Sequence, residues 1–278
     1  MTSVLKITFA LLLAWLLSGC SALRLAYDNA DTYLRWRAGD YLALQGEASD
    51  ELDDSIDAFL DWHRRNALPK YAQLSEEAAK RVAAGLSPDD LVWGYDAVVM
   101  QARESLRTAA ERIAPMLDRL TAEQIAHMEK RFAEDNRKFA REYLRGSEGE
   151  RRKQRARRTL DRLEDWVGRL SSPQAARVKQ FSERAPLYYD MRDRERRRLQ
   201  AEFLEMVRAH EAHKRLPERM ANWEEGRDPA YAAASEAARR EFYALMLDLD
   251  KSLTAEQRAK AVASLRRYAE DFSVLAGR

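Results

Sequence analysis

The sequence predicts an all-α fold, an irregular multi-helix bundle of about seven to nine helices. Apolar residues recur at spacings of three and four along the chain after Leu23, which is the period of an amphipathic helix. Glycine and proline, which interrupt helices, number only 10 and 7 among 278 residues. No stretch alternates apolar and polar residues with period two, and no Asn-Gly or Asp-Gly turn joins two β-branched runs, as a strand hairpin would require.

Apolar stripes and the breaks between them set out the elements in order. The clearest stripes are Leu52-Ile56-Phe59-His63, Ile125-Met128-Phe132-Phe139-Tyr143 and Val262-Leu265-Tyr268-Phe272-Leu275. Breaks are predicted at 46–49, 68–69, 85–86, 120, 146–149, 170–173, near 186, at 226–229 and at 253. No low-complexity linker divides the chain, so residues 20–278 are predicted to form a single all-helical domain.

The N-terminus has the layout of an export signal. Lys6 precedes an apolar run that is too short to span a bilayer, which takes about 20 apolar residues. The run closes on Leu17-Ser18-Gly19-Cys20, which resembles the lipobox of bacterial lipoproteins. The resemblance implies that residues 1–19 are a signal peptide cut between Gly19 and Cys20. It also implies that Cys20 is acylated and anchors the protein.

The residue after the anchor bears on location. Ser21 stands where an aspartate would imply retention at the inner membrane, so the resemblance implies the outer membrane, with the body facing the periplasm. No later stretch is apolar and long enough to cross a bilayer. Membrane attachment is therefore predicted to depend on Cys20 alone.

Cysteine count and charge exclude several classes of function. Cys20 is the only cysteine, so the mature chain would have neither a disulfide nor a nucleophilic thiol. Removing Lys6 with the signal leaves 47 basic against 46 acidic residues. Such a balance argues against nucleic acid as a partner. Phosphate-binding loops and nucleophile elbows are missing from the sequence, so no cofactor and no enzymatic activity are predicted.

One short pattern occurs twice. Leu120-Thr121-Ala122-Glu123-Gln124 and Leu253-Thr254-Ala255-Glu256-Gln257 are the same five residues. A threonine followed by glutamine three residues later is typical of a capping box, in which each side chain binds the backbone amide of the other. The pattern Leu-Thr-x-x-Gln also resembles the motif of the Spy/CpxP-type periplasmic chaperones. That resemblance implies client binding on amphipathic helices.

A second resemblance extends over more of the chain. It is carried by the lipobox, by Leu25-x-Tyr27-x-Asn29, by Trp36 and Tyr41, and by Trp62-His63-Arg64 with Leu68-Pro69-x-Tyr71. Together these residues resemble a family of Gram-negative lipoproteins that is classed only as a domain of unknown function. The resemblance implies a lipid anchor and a helical fold, and it implies no activity.

The histidines allow two interpretations. His63 ends one apolar stripe, while His210 and His213 extend a stripe through Leu199, Phe203 and Met206, so these three are expected to be at least half buried. They are either core-edge imidazoles with hydrogen-bond partners or members of a metal or pH-responsive site. The sequence favours the first interpretation, so no metal site is predicted.

Positive charge is concentrated in one block. Six of the eight residues from 151 to 158 are basic: Arg151, Arg152, Lys153, Arg155, Arg157 and Arg158. Such runs are usually solvated helix faces. They also suit an anion-binding patch for anionic lipid headgroups or for an acidic envelope protein.

These observations together predict a non-catalytic function. The chain is expected to be an interaction or chaperone-like protein of the cell envelope, anchored in the outer membrane. The alternative is an enzyme that modifies a cell-envelope polymer, for which paired carboxylates in a cleft would be needed.

Overall fold

The computed structural model describes residues 22–278, in which every regular element is a helix, and the predicted all-α class is confirmed. A π-helical turn, Ala140–Leu144, extends α6. The α helices are α1 Ala22–Asp28, α2 Ala30–Leu42, α3 Glu47–Asn66, α4 Leu68–Ala84, α5 Pro88–Leu117, α6 Ala122–Phe139, α7 Glu148–Val167, α8 Ser172–Arg184, α9 Tyr189–Arg208, α10 Ala212–Ala221, α11 Pro229–Ser252 and α12 Ala255–Ala276.

Twelve α helices in the described part exceed the seven to nine that were predicted. Each of the nine predicted breaks lies at or beside a helix end, so these breaks alone delimit ten helices, one more than the upper end of the predicted number. Two further breaks raise the number to twelve. At Asn29 the side-chain amide donates to the carbonyl of Leu25 at 2.8 Å, which competes with the helical backbone pattern. Between α9 and α10 the chain turns through His210, whose φ of 54° is left-handed.

The larger part of the core lies among α2, α3, α5, α6, α9 and α10. Leu52, Ile56 and Leu60 of α3 form its centre, where they pack with the C-terminal half of α5 and with α6. The predicted stripes of α3 and α6 therefore face this first core cluster. Tyr27 and Leu34 cover its edge from α1 and α2.

A second core cluster joins α7, α8 and α11. It consists of Leu163, Leu170, Val178, Leu245 and Leu249, with Phe181 and Met246 packed against it. Because α5 and α9 each have one end in the first core cluster and the other near the second, they connect the two. Helices α4 and α12 lie along each other at the side, where the rings of Tyr71 and Phe272 meet at 5.5 Å.

Candidate functional site: an aromatic cleft

A large cleft opens beside the second core cluster. Its volume is about 1400 Å³. The walls come from the N-terminal half of α5, from α7, from the start of α9, from the segment 223–227 and from α11, with α4 and α12 closing one end. No single helix forms the cleft, because its lining residues come from several helices that are far apart in the chain.

Helix α7 contributes one regular stripe to the cleft. Arg155, Thr159, Leu163 and Trp166 follow at spacings of four and three, so their side chains lie on one face of the helix. Leu163 is buried in the second core cluster, whereas Trp166 keeps 39% of its surface exposed. The stripe thus leads from a buried cation to an exposed indole.

Aromatic side chains also line the cleft along much of its length. Phe242 of α11 is 39% exposed and meets Phe181 edge-on, with 5.8 Å between ring centroids. Tyr188 stacks on Tyr189 at 5.7 Å, and burial raises the pKa of Tyr188 above its ordinary value. Aromatic residues along the cleft are Trp93, Tyr95, Trp166, Phe181, Tyr188, Tyr189, Trp223, Tyr231, Phe242 and Tyr243.

Arginines stack on several of these rings. The guanidinium of Arg81 lies 4.1 Å from the ring centre of Trp93, and that of Arg239 lies 4.2 Å from the ring centre of Tyr95. Both arginines also pair with carboxylates, Arg81 with Asp90 and Arg239 with Glu236. Cation–π contacts of this kind keep polar groups flat against the aromatic wall.

Arg155 differs from Arg81 and Arg239 because it donates hydrogen bonds to backbone carbonyls and a hydroxyl. It is 7% exposed, and it donates to the carbonyls of Ser182, Ala185 and Pro186 at 2.5, 2.7 and 2.8 Å. These carbonyls lie at and beyond the C-terminus of α8, where unsatisfied acceptors carry partial negative charge. Burial lowers the pKa of Arg155 from its ordinary value. Its role here is to join α7 to the end of α8.

The remaining members of the predicted basic patch are divided between internal contacts and solvent. Arg151 pairs with Asp190 at 2.8 Å, and Arg152 pairs with Glu148 at 2.7 Å. Arg158 lies over the ring of Tyr143 at 5.1 Å. Lys153 and Arg157 are exposed, and anion binding by this block stays a prediction.

Both Leu-Thr-x-x-Gln segments begin helices with reciprocal capping bonds. Thr121 accepts from the Gln124 amide at 3.2 Å, and Gln124 accepts from the Thr121 amide at 2.9 Å. Thr254 and Gln257 do the same at the start of α12. Gln257 is also buried, and it exchanges hydrogen bonds of 2.9 and 3.1 Å with Gln174, the equivalent residue of the α8 cap.

His210 and His213 depart from the expected arrangement. The stripe through Met206 ends with α9 at Arg208, so the two histidines do not share a helix, and both are exposed. The expectation that they are at least half buried is wrong, because the chain leaves the helix at Ala209. Both rings instead reach Asp118, His210 at the backbone carbonyl and His213 at the carboxylate.

Asp118 caps the helix that follows these histidines. Its carboxylate accepts from the amides of Ala212 and His213 at 2.6 and 3.1 Å. Partial burial acts to raise the pKa of Asp118, but the hydrogen bonds from His213 and from the two amides outweigh it, so the pKa lies below its ordinary value. Asp118 and His213 together thus cap the start of α10 at the α9–α10 turn.

His63 lies in a separate cluster of rings. The Tyr27 hydroxyl and His63 Nδ1 are 2.9 Å apart, and Tyr71 lies within 5.6 Å of the imidazole centre. Burial lowers the pKa of His63, and burial raises the pKa of Tyr27 to about 12. Within residues 22–278, no three side chains of histidine, cysteine or acidic type are grouped to hold a metal ion.

The lipobox, including Gly19 and Cys20, lies outside the described residues. Among the helices that are described, none combines the length and the apolarity needed to cross a membrane. The sequence reasoning missed the cleft, whose aromatic residues come from helices far apart in the chain. One feature of the sequence could have indicated the cleft. The helical spacing of α7 places Trp166 on the same face as Arg155 and Thr159.

Fold and site together define an all-helical protein with an aromatic cleft. The chain belongs to the family of unknown function DUF6279, whose model matches residues 40–231. The match runs from the end of α2 to the first turn of α11, and it includes the α5, α7 and α9 walls of the cleft. The resemblance to a family of unknown function is thereby confirmed. No curated protein and no solved structure matches the chain.

Proposed function

We propose that this chain is a lipoprotein of the outer membrane, anchored through Cys20 and facing the periplasm, that acts by binding. In this proposal the aromatic cleft takes up apolar segments of client proteins in the cell envelope, as a chaperone does. The observation that carries the proposal is the cleft itself, with exposed rings such as Trp166 and Phe242 in its wall.

The size of the cleft favours a polypeptide client. Pockets for small molecules usually enclose about 300–1,000 Å³, whereas this cleft encloses about 1400 Å³. Flat aromatic rings with arginines stacked on them accept apolar groups of different shapes. A contiguous exposed apolar surface in a folded protein usually marks such an interaction site.

The hydrogen bonds of the carboxylates in the cleft favour a binding function over a catalytic one. Asp90, Glu224, Glu236 and Asp250 each accept a hydrogen bond from an arginine. Hydrogen bonds from Ser87 and from Arg81 lower the pKa of Asp90, whereas a general acid in polymer cleavage needs a raised pKa.

The proposal is tested by blocking the cleft without disturbing the fold. Gly94 lines the cleft in α5, and a Cβ at this position meets nothing within 4 Å. A Gly94→Phe variant therefore places a ring in the cleft. The assay is suppression of aggregation of a chemically denatured client by the chain from Ser21 to Arg278, which keeps all described helices.

A matched control is available in α7. Gly149 has equally open surroundings and does not line the cleft, so Gly149→Phe adds the same ring elsewhere. We expect the unchanged chain and Gly149→Phe to suppress aggregation at near-stoichiometric amounts, and Gly94→Phe to lose that activity. Equal suppression by both variants would show that clients do not bind in the cleft. No suppression by the unchanged chain would contradict the chaperone-like function itself.

A further inference from the structure

The two N-terminal helices have an exposed face without charge. We call it the α1–α2 face, and it consists of uncharged exposed residues at spacings of three and four: Ala22, Leu25, Ala26, Asn29, Thr32, Tyr33, Trp36 and Gly39. Asp28 is also exposed, but its carboxylate pairs with Arg278. Leu25, Tyr33 and Trp36 expose 62%, 59% and 62% of their surfaces. In a chain of which 34% is charged, a surface stripe of this length without an ionisable group other than the Tyr33 phenol needs an explanation.

The opposite face of the same helices packs on the protein. Tyr27, Ala30, Leu34, Ala38 and Tyr41 cover the first core cluster. Charged residues of these helices are held in ion pairs: Arg24 with Asp271, Asp28 with Arg278, Arg35 with Asp31, Arg37 with Asp135, and Asp40, one turn after Trp36, with Arg131. The α1–α2 face thus points away from the body.

The position of the anchor identifies what covers this face. Ala22 is the second residue after Cys20, and two residues span at most about 7 Å. If Cys20 carries acyl chains, α1 begins within that distance of the lipid headgroups. Tryptophan and tyrosine favour the membrane–water interface, and a helix with an uncharged apolar face lies in it readily.

We infer that the α1–α2 face lies in the interfacial layer of the membrane that holds the lipid anchor, with Leu25, Tyr33 and Trp36 among the lipid headgroups. This inference rests on the proposed acylation of Cys20. It adds an orientation, since α1 and α2 then lie along the bilayer and the helices behind them face the periplasm.

The experiment uses one labelled thiol at a time. Cys20 is the only native cysteine and is blocked when it is acylated, so Ala26→Cys introduces a single reactive thiol on the α1–α2 face. Ala176→Cys is the matched control, because Ala176 is also an exposed helical alanine but lies on α8. Each variant of the mature lipoprotein carries a polarity-sensitive dye in vesicles of phosphatidylethanolamine and phosphatidylglycerol, with and without brominated acyl chains.

We expect the dye at position 26 to emit at shorter wavelength on vesicles and to be quenched several-fold more by brominated lipid than the dye at position 176. Equal behaviour of the two labels on vesicle-bound protein would overturn the inference. So would a wavelength shift at position 26 that appears without vesicles and grows with protein concentration, because the face would then bind a second copy.

A second experiment tests this inference independently of the acylation of Cys20. The mature chain with Cys20→Ser and an N-terminal histidine tag is held on nickel-chelating lipids, which bring Ala22 to the bilayer without acylation. Mass spectrometry of the natural protein decides whether Cys20 is acylated. The labels on the tagged chain decide whether the α1–α2 face enters the membrane, whatever the mass spectrum shows.

Discussion

Gln257 and Gln124 occupy the same position of the same five-residue pattern but differ in burial. Gln257 is 9% exposed, and besides capping α12 it bonds to Gln174 and to the carbonyl of Arg169 at 2.9 Å. Replacing Gln257 by alanine removes these bonds together with the cap, although Gln174 keeps its bonds to Ser171 and Ser252. We expect Gln257→Ala to lower the free energy of unfolding by about 2–3 kcal/mol, measured by urea denaturation.

Gln124→Ala is the control for capping alone. Gln124 is only half buried, and its side chain accepts a hydrogen bond from the Thr121 amide. The expected loss is about 1 kcal/mol. Equal losses in the two variants would show that the Gln257–Gln174 contact adds nothing beyond the cap.

His63 gives a prediction about pH. Because its pKa is lowered by burial, the unfolded chain takes up the proton first as the pH falls. The stability that depends on neutral His63 is complete above the unfolded pKa of about 6.5 and is lost as the pH falls from there through the folded pKa. His63→Phe should lessen the fall in unfolding free energy between about pH 7 and pH 5, measured by urea denaturation. His127→Phe, in which the ring bonded to the Asp40 carbonyl is removed instead, should retain it.

At the scale of the element, α10 depends on a cap from outside the helix. Its N-cap residue, Glu211, makes no side-chain capping bond, and Asp118 at the end of α5 satisfies the first amides instead. We expect Asp118→Ala to cost about 2 kcal/mol and to increase amide exchange in α10. Asp228→Ala is the control, because Asp228 caps α11 through one exposed bond to the Tyr231 amide. A loss of about 1 kcal/mol is expected there, and an equal loss would contradict the special role of Asp118.

Helix boundaries were predictable where the signal is local. Capping residues at Ser87, Thr121, Ser171 and Thr254 each mark a helix start, and each makes the reciprocal bonds that the spacing implies. The α9–α10 break was not predictable, because its cap comes from a residue more than 90 positions earlier. For this reason the predicted apolar stripe of α9 continues through His210, which is wrong.

At the scale of the whole molecule, the candidate site depends on packing between distant segments. The cleft walls come from five separate parts of the chain, and periodicity within any one of them shows only which face is apolar. The basic block shows the same limit. From the sequence alone, Arg155 is expected to be a surface charge. Its burial depends instead on contacts with the end of α8, about 30 residues away.

Helix α1 is joined to α12 and to the residue Arg278 beyond it by ion pairs of very different burial. Arg24 donates to Asp271 at 2.6 Å, and Asp271 is 2% exposed, whereas Arg278 and Asp28, 2.7 Å apart, are both largely exposed. Removing one partner of a buried pair leaves an uncompensated charge, while an exposed pair contributes about 1 kcal/mol or less.

We therefore expect Arg24→Gln to lower the free energy of unfolding by about 2–4 kcal/mol and to speed amide exchange throughout α1 and α2. Arg278→Gln removes a cation from the same pair of helices and should change neither by more than about 1 kcal/mol. Hydrogen-exchange mass spectrometry and urea denaturation of both variants measure the two effects. If Arg278→Gln matched Arg24→Gln, the attachment of α1 to α12 would depend on surface charge, and the buried Asp271 would not be what fixes α1 to the body.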